Sequence, residues 1–307
     1  MQTYNQCLAC FERQAADVCS IAQLSPEKTQ SILASARARI RIFPREQPPI
    51  RMAVEIHELI RAESGIADPY AALKKAANDV CRGLGPQLMA CMAGSSRPLE
   101  TATKLAIAGN IIDYGAYGLR DVSQVNLVDV IEQVLAQPLT GGAIEQFEHL
   151  IHISEHILYI ADNAGECFFD VPLLDVLPTG KVTYAVRGGP VLNDATFEDA
   201  HAANIPDRCT VIDTGDHAPG ILLDRCSPAF LRAFNDSDLI ISKGQGNYES
   251  MSDMTEKTIV FLTKVKCEMI AQDIGHRLGS NVIKITHSGP AREHRKDGGA
   301  FAVGIHK

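Results

Sequence analysis

The hydrophobic and polar positions of this chain change rhythm near its middle. Up to about residue 95, apolar residues recur at three- and four-residue spacing among Arg, Lys, Glu and Gln. That spacing predicts helices over residues 7–24, 26–40, 49–64 and 68–89. Ser25-Pro26-Glu27 supplies a helix start, with Ser as N-cap and Pro in the first turn. Pro48-Pro49 separates the second helical pattern from the third. A further helix over 98–108 runs into Gly109-Asn110-Ile-Ile-Asp113. After residue 150, short β-rich runs at 157–161, 181–186, 209–212, 238–242, 258–262 and 281–285 alternate with helical stretches. Such alternation predicts βαβ units and a mainly parallel sheet. The expectation is a helical part, residues 1–95, followed by a doubly wound α/β part, residues 96–307.

The chemistry sits where the predicted strands stop. The run 157–161 ends abruptly in Asp162-Asn163-Ala-Gly-Glu166, and the next passes through Arg187-Gly-Gly-Pro190 to Asn193-Asp194. The fourth ends in Ser242-Lys243-Gly-Gln-Gly-Asn247, and the fifth in Thr263-Lys264-Val-Lys266-Cys267. In open α/β sheets, ligands bind beyond the carboxyl ends of the strands. Asp162 and Asn163 are adjacent hard oxygen donors of the kind that suits Mg²⁺ or Mn²⁺. The lysines suit an anion, and the glycines let backbone N–H groups approach a ligand. Cation, phosphate and lysine at one sheet edge are what phosphoryl hydrolysis needs.

Each piece has a plainer reading. Asp162-Asn163 also fits a turn or a helix cap, and Asp194 also fits the N-cap of a helix through 198–204. His152-Ile-Ser-Glu155-His156 has the spacing of an H-x-x-E-H zinc motif, but His156 runs straight into a predicted strand instead of continuing a helix. Three enzyme classes lack their signatures: there is no G-x-x-x-x-G-K-[ST] loop, no G-x-S-x-G elbow, and no G-x-G-x-x-G after the first strand.

Composition narrows the picture further. The chain has 307 residues, 46% hydrophobic and 21% charged, as expected of a globular protein with a large core. Its net charge of −8 argues against broad binding to nucleic acid or anionic membrane. The polar N-terminus and the lack of a long apolar run lead us to expect a cytoplasmic protein. Nine scattered cysteines do not form a disulfide framework. Cys7 and Cys10 make a single C-x-x-C that reads either as small apolar residues on a helix or as a metal or redox pair.

Taken together, the motifs resemble the DUF89 family, the damage-control phosphatases related to the protein known as acidic residue methyltransferase. The matching segments are Cys7-Leu-Ala-Cys10-Phe11, Asp68-Pro-Tyr70 with Lys74 and Asn78, Gly109-Asn110-Ile-Ile-Asp113, and Asp162-Asn163-Ala-Gly-Glu166. Gly189-Pro190 through Asn193-Asp194, Ser242-Lys243-Gly-Gln-Gly-Asn247, and Lys264-Val-Lys266 complete the set. The short chain and the cysteine pair resemble the stand-alone prokaryotic branch. The resemblance implies a Rossmann-like three-layer α/β/α sandwich, preceded by a helical bundle, and a metal-dependent phosphatase. It implies a divalent cation (Mn²⁺, Mg²⁺, Ni²⁺ or Co²⁺) on Asp162, Asn163 and Asp194, and substrate contacts from Asn110, Lys243, Asn247 and Lys266. Asp113, from the same family segment as Asn110, is a candidate to orient or deprotonate water. Gln245 stands where some relatives carry Asp, and residues after about 287 match nothing in the family pattern.

The resulting expectation is hydrolysis of a small phosphorylated metabolite: a phosphosugar, a nucleotide or a damaged cofactor phosphate. Two rival readings remain, a carboxyl methyltransferase using S-adenosylmethionine and a non-catalytic metabolite- or metal-binding protein. The oligomeric state is not readable from the sequence.

Overall fold

The computed structural model describes residues 1–110, 127–141 and 144–287. Asp113 and the segment after 287 lie outside the described residues. Helices α1 (Asn5–Ile21), α2 (Pro26–Ile42) and α3 (Pro49–Ser64) come first. Phe11, Ala15, Val18 and Cys19 of α1 turn one stripe toward Ile32, Ala36 and Ile40 of α2 and Met52, Ile56 and Ile60 of α3. Ser25 caps α2 by accepting from the Lys28 N–H, with Pro26 behind it.

The pattern over 68–89 predicts one helix, but the structure has two, α4 (Ala71–Gly83) and α5 (Gly85–Ala93). Pro86 explains the break. It has no N–H to continue the ladder to the Arg82 carbonyl, and its ring crowds that carbonyl. The Leu84 N–H accordingly bonds the Cys81 carbonyl, three residues back. Helices α6 (Pro98–Gly109), α7 (Leu127–Ala136) and α8 (Ile144–Ile153) lead to the sheet.

Six strands follow, β1 (Ile157–Ile160), β2 (Val182–Val186), β3 (Thr210–Asp213), β4 (Leu239–Lys243), β5 (Ile259–Lys264) and β6 (Asn281–Thr286). They pair in the order β3-β2-β1-β4-β5-β6, all parallel except β6, which runs antiparallel to β5. Between them lie α9 (Cys167–Val176), α10 (Phe197–Ala202), α11 (Pro228–Asp236), α12 (Gly244–Met251) and α13 (Glu268–Ile274).

Both faces of the sheet are covered, and the pleat sorts the side chains. Tyr159, Tyr184 and Ile241 enter one core together with Ile107 of α6 and Leu173 of α9. Leu158, Ile160, Ile240 and Phe261 enter the other with Phe230, Tyr248 and Ile270. This is why the strands read as continuous apolar runs. Strand order reverses at β1, whose neighbours are β2 on one side and β4 on the other. The crevice beyond the carboxyl end of β1 is therefore the topological switch point, where such sheets bind ligands. Among the described residues, no helix is long and apolar enough to cross a membrane.

Candidate active site

The backbone first brings two strand ends together. Ala161 continues the β1 ladder through its N–H to the Ala185 carbonyl, and Asp162 and Asn163 follow at once. The chain leaving β2 turns back through residues 187–192 and lies against this stretch. The Ala195 N–H bonds the Asp162 carbonyl at 2.8 Å, and the Ala164 N–H bonds the Asn193 carbonyl at 2.9 Å. Asn163 and Asp194 thus face one another in an antiparallel bridge. Asp194 does not cap the next helix. Thr196 does, in a reciprocal capping box with Asp199.

Two glycines make room for this arrangement. Gly244, at the start of α12, has φ +78°, and a β-carbon there would fall within the Asp162 carboxylate. At the end of α6, a β-carbon on Gly109 would sit 2.9 Å from Glu166 Cγ and 2.8 Å from Phe169 Cβ. The close approach of α6 to α9 delivers the adjacent Asn110 into the site, where it is wholly buried.

Asn110 Nδ2 donates to Asp162 Oδ2 at 2.6 Å and to Glu166 Oε2 at 3.1 Å. Asn163 Nδ2 donates to the same two oxygens at 3.0 and 3.2 Å. Burial, followed by the charges of Glu166 and Asp194, pushes the Asp162 carboxyl well above its ordinary range, with Lys266 and Arg187 pulling the other way. The crowding of carboxylates creates a demand for positive charge at this spot. The nearby charge of Lys266 also marks that lysine as part of the same electrostatic site. Burial and Lys266 together lower the pKa of Lys264.

Two of the expected substrate contacts, Lys243 and Asn247, are hydrogen-bonded within the protein. Lys243 is the last residue of β4, and its ammonium points into the core, not into the crevice. It donates to Glu166 Oε1 at 2.5 Å, Asp170 Oδ1 at 2.6 Å and the Ala106 carbonyl at 2.9 Å. Burial alone would lower its pKa, but Asp170 and Glu166 hold it above the usual range. The three donors of the ammonium are therefore committed inside the protein. Asn247 is committed likewise, with Nδ2 on the carbonyls of Ala161 and Lys243 and Oδ1 accepting from Arg187. It ties the ends of β1, β2 and β4 together.

Arg187 is the participant that sequence reasoning passed over. It is buried at the end of β2, with Nε on Asp194 Oδ2 at 2.6 Å and Nη2 on Asn247 Oδ1 at 3.0 Å. An arginine just past a buried strand, beside Gly-Gly-Pro, was the available signal. Glu166 is the other. It follows Asn163 by three residues, which places it one turn along toward the same site. Asp170 extends the network, accepting from the hydroxyls of Tyr159 and Tyr184 at 2.6 and 2.8 Å. The histidines of the H-x-x-E-H stretch are separated by the end of α8 at Ile153 and lie away from the site.

Among the described residues, no three His, Cys, Asp or Glu side chains stand ready as a metal cluster. The set at the switch point is different in kind: two carboxylates and a carboxamide, Asp162, Asp194 and Asn163. This hard oxygen set suits Mg²⁺- or Mn²⁺-like ions. Two observations fit a cation here. Asp162, Glu166 and Asp194 are buried close enough to raise the Asp162 pKa. The buried Asn110 Oδ1 has no hydrogen-bond partner among the described residues.

Comparisons with known proteins bear on the same geometry. A family model described as the damage-control phosphatase ARMT1-like domain matches residues 3–282. A protein of Archaeoglobus fulgidus named damage-control phosphatase is 36% identical over 237 residues, covering 76% of this chain and 81% of that one. A damage-control phosphatase of Pyrococcus horikoshii is 30% identical over 279 residues, covering 89% and 94%. The crystal structure of a DUF89 family protein from P. horikoshii superposes with a TM-score of 0.84 at 28% identity, covering 92% of this chain and 99% of that one.

Proposed function

We propose, from the premise that this chain belongs to the damage-control phosphatase ARMT1-like family, that it is a metal-dependent phosphatase hydrolysing small phosphorylated metabolites at the β1 switch point. The observation that carries the reading is the Asn163–Asp194 bridge, which sets Asp194 beside Asp162 and Asn163 where the sheet reverses. A divalent cation, Mn²⁺, Mg²⁺, Ni²⁺ or Co²⁺, would be held by Asp162, Asn163 and Asp194. Bound there, it would supply polarisation of a phosphoryl oxygen and activation of the attacking water.

The residues of the chain do the rest. Lys266 places positive charge beside Asp162 and would meet the non-bridging oxygens of a phosphate. Arg187 grips Asp194, fixing the carboxylate and offsetting its charge. Burial of Asp162, Asn163 and Asp194 keeps bulk water from competing for the donors. Asp113 remains the proposed proton acceptor on the strength of the G-N-x-x-D segment. The setting we propose is the cytoplasm, with a soluble metabolite rather than nucleic acid or a membrane as partner.

The test is phosphate release from a panel of phosphomonoesters by protein stripped with EDTA and then reloaded with each ion. Activity should vanish on chelation and return with at least one metal, and Asp162→Ala and Asp194→Ala should abolish it. Turnover indifferent to chelation, or intact in both variants, would overturn the assignment. Methyl transfer from S-adenosylmethionine without phosphate release would favour the rival reading.

A further inference from the structure

The four N–H groups of two carboxamides converge on two carboxylate oxygens. Asn110 and Asn163 each give both Nδ2 hydrogens to Asp162 Oδ2 and Glu166 Oε2, at 2.6 to 3.2 Å. A carboxamide has nearly the same shape either way round, so its partners decide its orientation. If either amide were turned, its oxygen would face two carboxylate oxygens, and two charge-assisted hydrogen bonds would become acceptor–acceptor repulsion. The amide oxygens must therefore point away from Glu166.

Glu166 can play this part because its other oxygen is pinned. Lys243 donates to Oε1 at 2.5 Å while also holding Asp170 and the Ala106 carbonyl. The carboxylate cannot turn aside, and it lies wholly buried behind Asn163. We infer that Glu166 is a positioning residue that, braced by Lys243, turns the carboxamide oxygen of Asn163 toward the cation and that of Asn110 away from the carboxylates. This inference rests on the proposal that Asn163 is a cation ligand, and it assigns to Lys243 a bracing role in place of a phosphate contact.

The chemistry of Glu166→Gln makes the inference testable. The Lys243 ammonium would claim the amide oxygen of the new side chain, leaving its NH₂ to face the NH₂ groups of Asn110 and Asn163. Two donors cannot share that space, so the two amides must turn or move. Adding Lys243→Met removes the constraint. The glutamine can then reverse, donate toward Asp170 and the Ala106 carbonyl, and accept from the two asparagines. Glu166→Met/Lys243→Met has the same formal charge as wild type and as Glu166→Gln/Lys243→Met, but offers no acceptor.

The experiment measures Mn²⁺ affinity of the full chain by electron paramagnetic resonance and calorimetry, with a thermal melt on each variant. Glu166→Gln should bind Mn²⁺ about 10- to 100-fold more weakly, as expected for loss of a ligand-orienting partner. Glu166→Gln/Lys243→Met should recover most of that loss, and Glu166→Met/Lys243→Met should not. The inference is overturned if Glu166→Gln binds like wild type, if both double variants bind equally well, or if affinity simply follows melting temperature. Failure of the underlying site looks different. Wild type would bind no Mn²⁺, or Asp162→Asn and Asp194→Asn would bind it as well as wild type does.

Discussion

Gly244→Ala is the smallest change that addresses Asp162 without touching it chemically. Residue 244 has φ +78°, and the added methyl would fall within the Asp162 carboxylate. The effect has two parts, left-handed backbone strain of about 1–2 kcal/mol for a residue with a β-carbon and displacement of the carboxylate. Gly275 separates them. It has φ +79° at the end of α13, and a β-carbon there meets nothing within 4 Å. Gly275→Ala should therefore show the strain alone, a loss of about 1–2 kcal/mol in urea unfolding with phosphate release unchanged. Gly244→Ala should show a comparable or larger loss together with a fall in turnover of about 100-fold, the scale expected when a reacting group moves by about 1 Å. Both variants are assayed for unfolding midpoint, Mn²⁺ affinity and phosphate release under the same conditions. If Gly244→Ala lost stability but kept wild-type turnover and Mn²⁺ affinity, Asp162 would not be the group on which the reaction depends.

Three other outcomes are expected. Lys266→Ala should raise KM for a phosphomonoester by about 10- to 100-fold, matching one lost charge-assisted hydrogen bond of about 1.5–3 kcal/mol, with a smaller effect on kcat; an unchanged KM would remove Lys266 from the phosphate site. Lys243→Met should cost about 3–5 kcal/mol in urea unfolding, because it strands the carboxylates of Glu166 and Asp170 in the core; a loss below about 1 kcal/mol would mean the pair is not closed in solution. Glu249, pushed up to about 7 by burial against the Gln245 hydrogen bond, sets a pH dependence. Its contribution to stability is fully present below the ordinary carboxyl range near about 4.3 and is lost as pH rises through about 7. Glu249→Gln should therefore match wild type at acid pH and exceed it by about 1–2 kcal/mol at pH 8, discounted for partial exposure; equal melting temperatures at both pH values would show that the shift is absent.

The sheet was readable from sequence because the central strands β1, β2, β4 and β5 are largely buried apolar runs cut off by Asp162, Arg187, Lys243 and Lys264. Helix α3 was readable because Pro49 and Gly65 punctuate it, the latter at φ +73°. The break between α4 and α5 was not, since apolar spacing continues across Leu84 and outweighs the Gly83, Gly85 and Pro86 that mark it. The same limit explains Lys243 and Asn247. Being at a strand end places a residue at the correct edge but does not give its direction. The pleat gives it: Lys243 has the parity of Leu239 and Ile241, which enter the core beneath α6 and α9, whereas Asp162 has the parity of Leu158 and Ile160. Counting by twos from a confidently apolar strand residue would have turned Lys243 inward.

The charges around the β1 end show why an internal lysine is useful to a site that handles phosphate. Asp162, Asp194, Glu166 and Asp170 are four carboxylates, and Arg187, Lys243 and Lys266 are three cations. With every group ionised, as a bound cation would favour, they sum to one negative charge before the cation itself is counted. A cation of charge +2 at the proposed site would bring the sum to +1, a net attraction for a phosphate dianion. Without Lys243 the same sum would be −2 before and zero after, and the loaded site would lose its net attraction for phosphate. On the proposed reading, Lys243 would favour phosphate binding without touching phosphate, by cancelling the charge of Glu166. A lysine in the crevice could supply the same charge, but it would leave Glu166 unbraced.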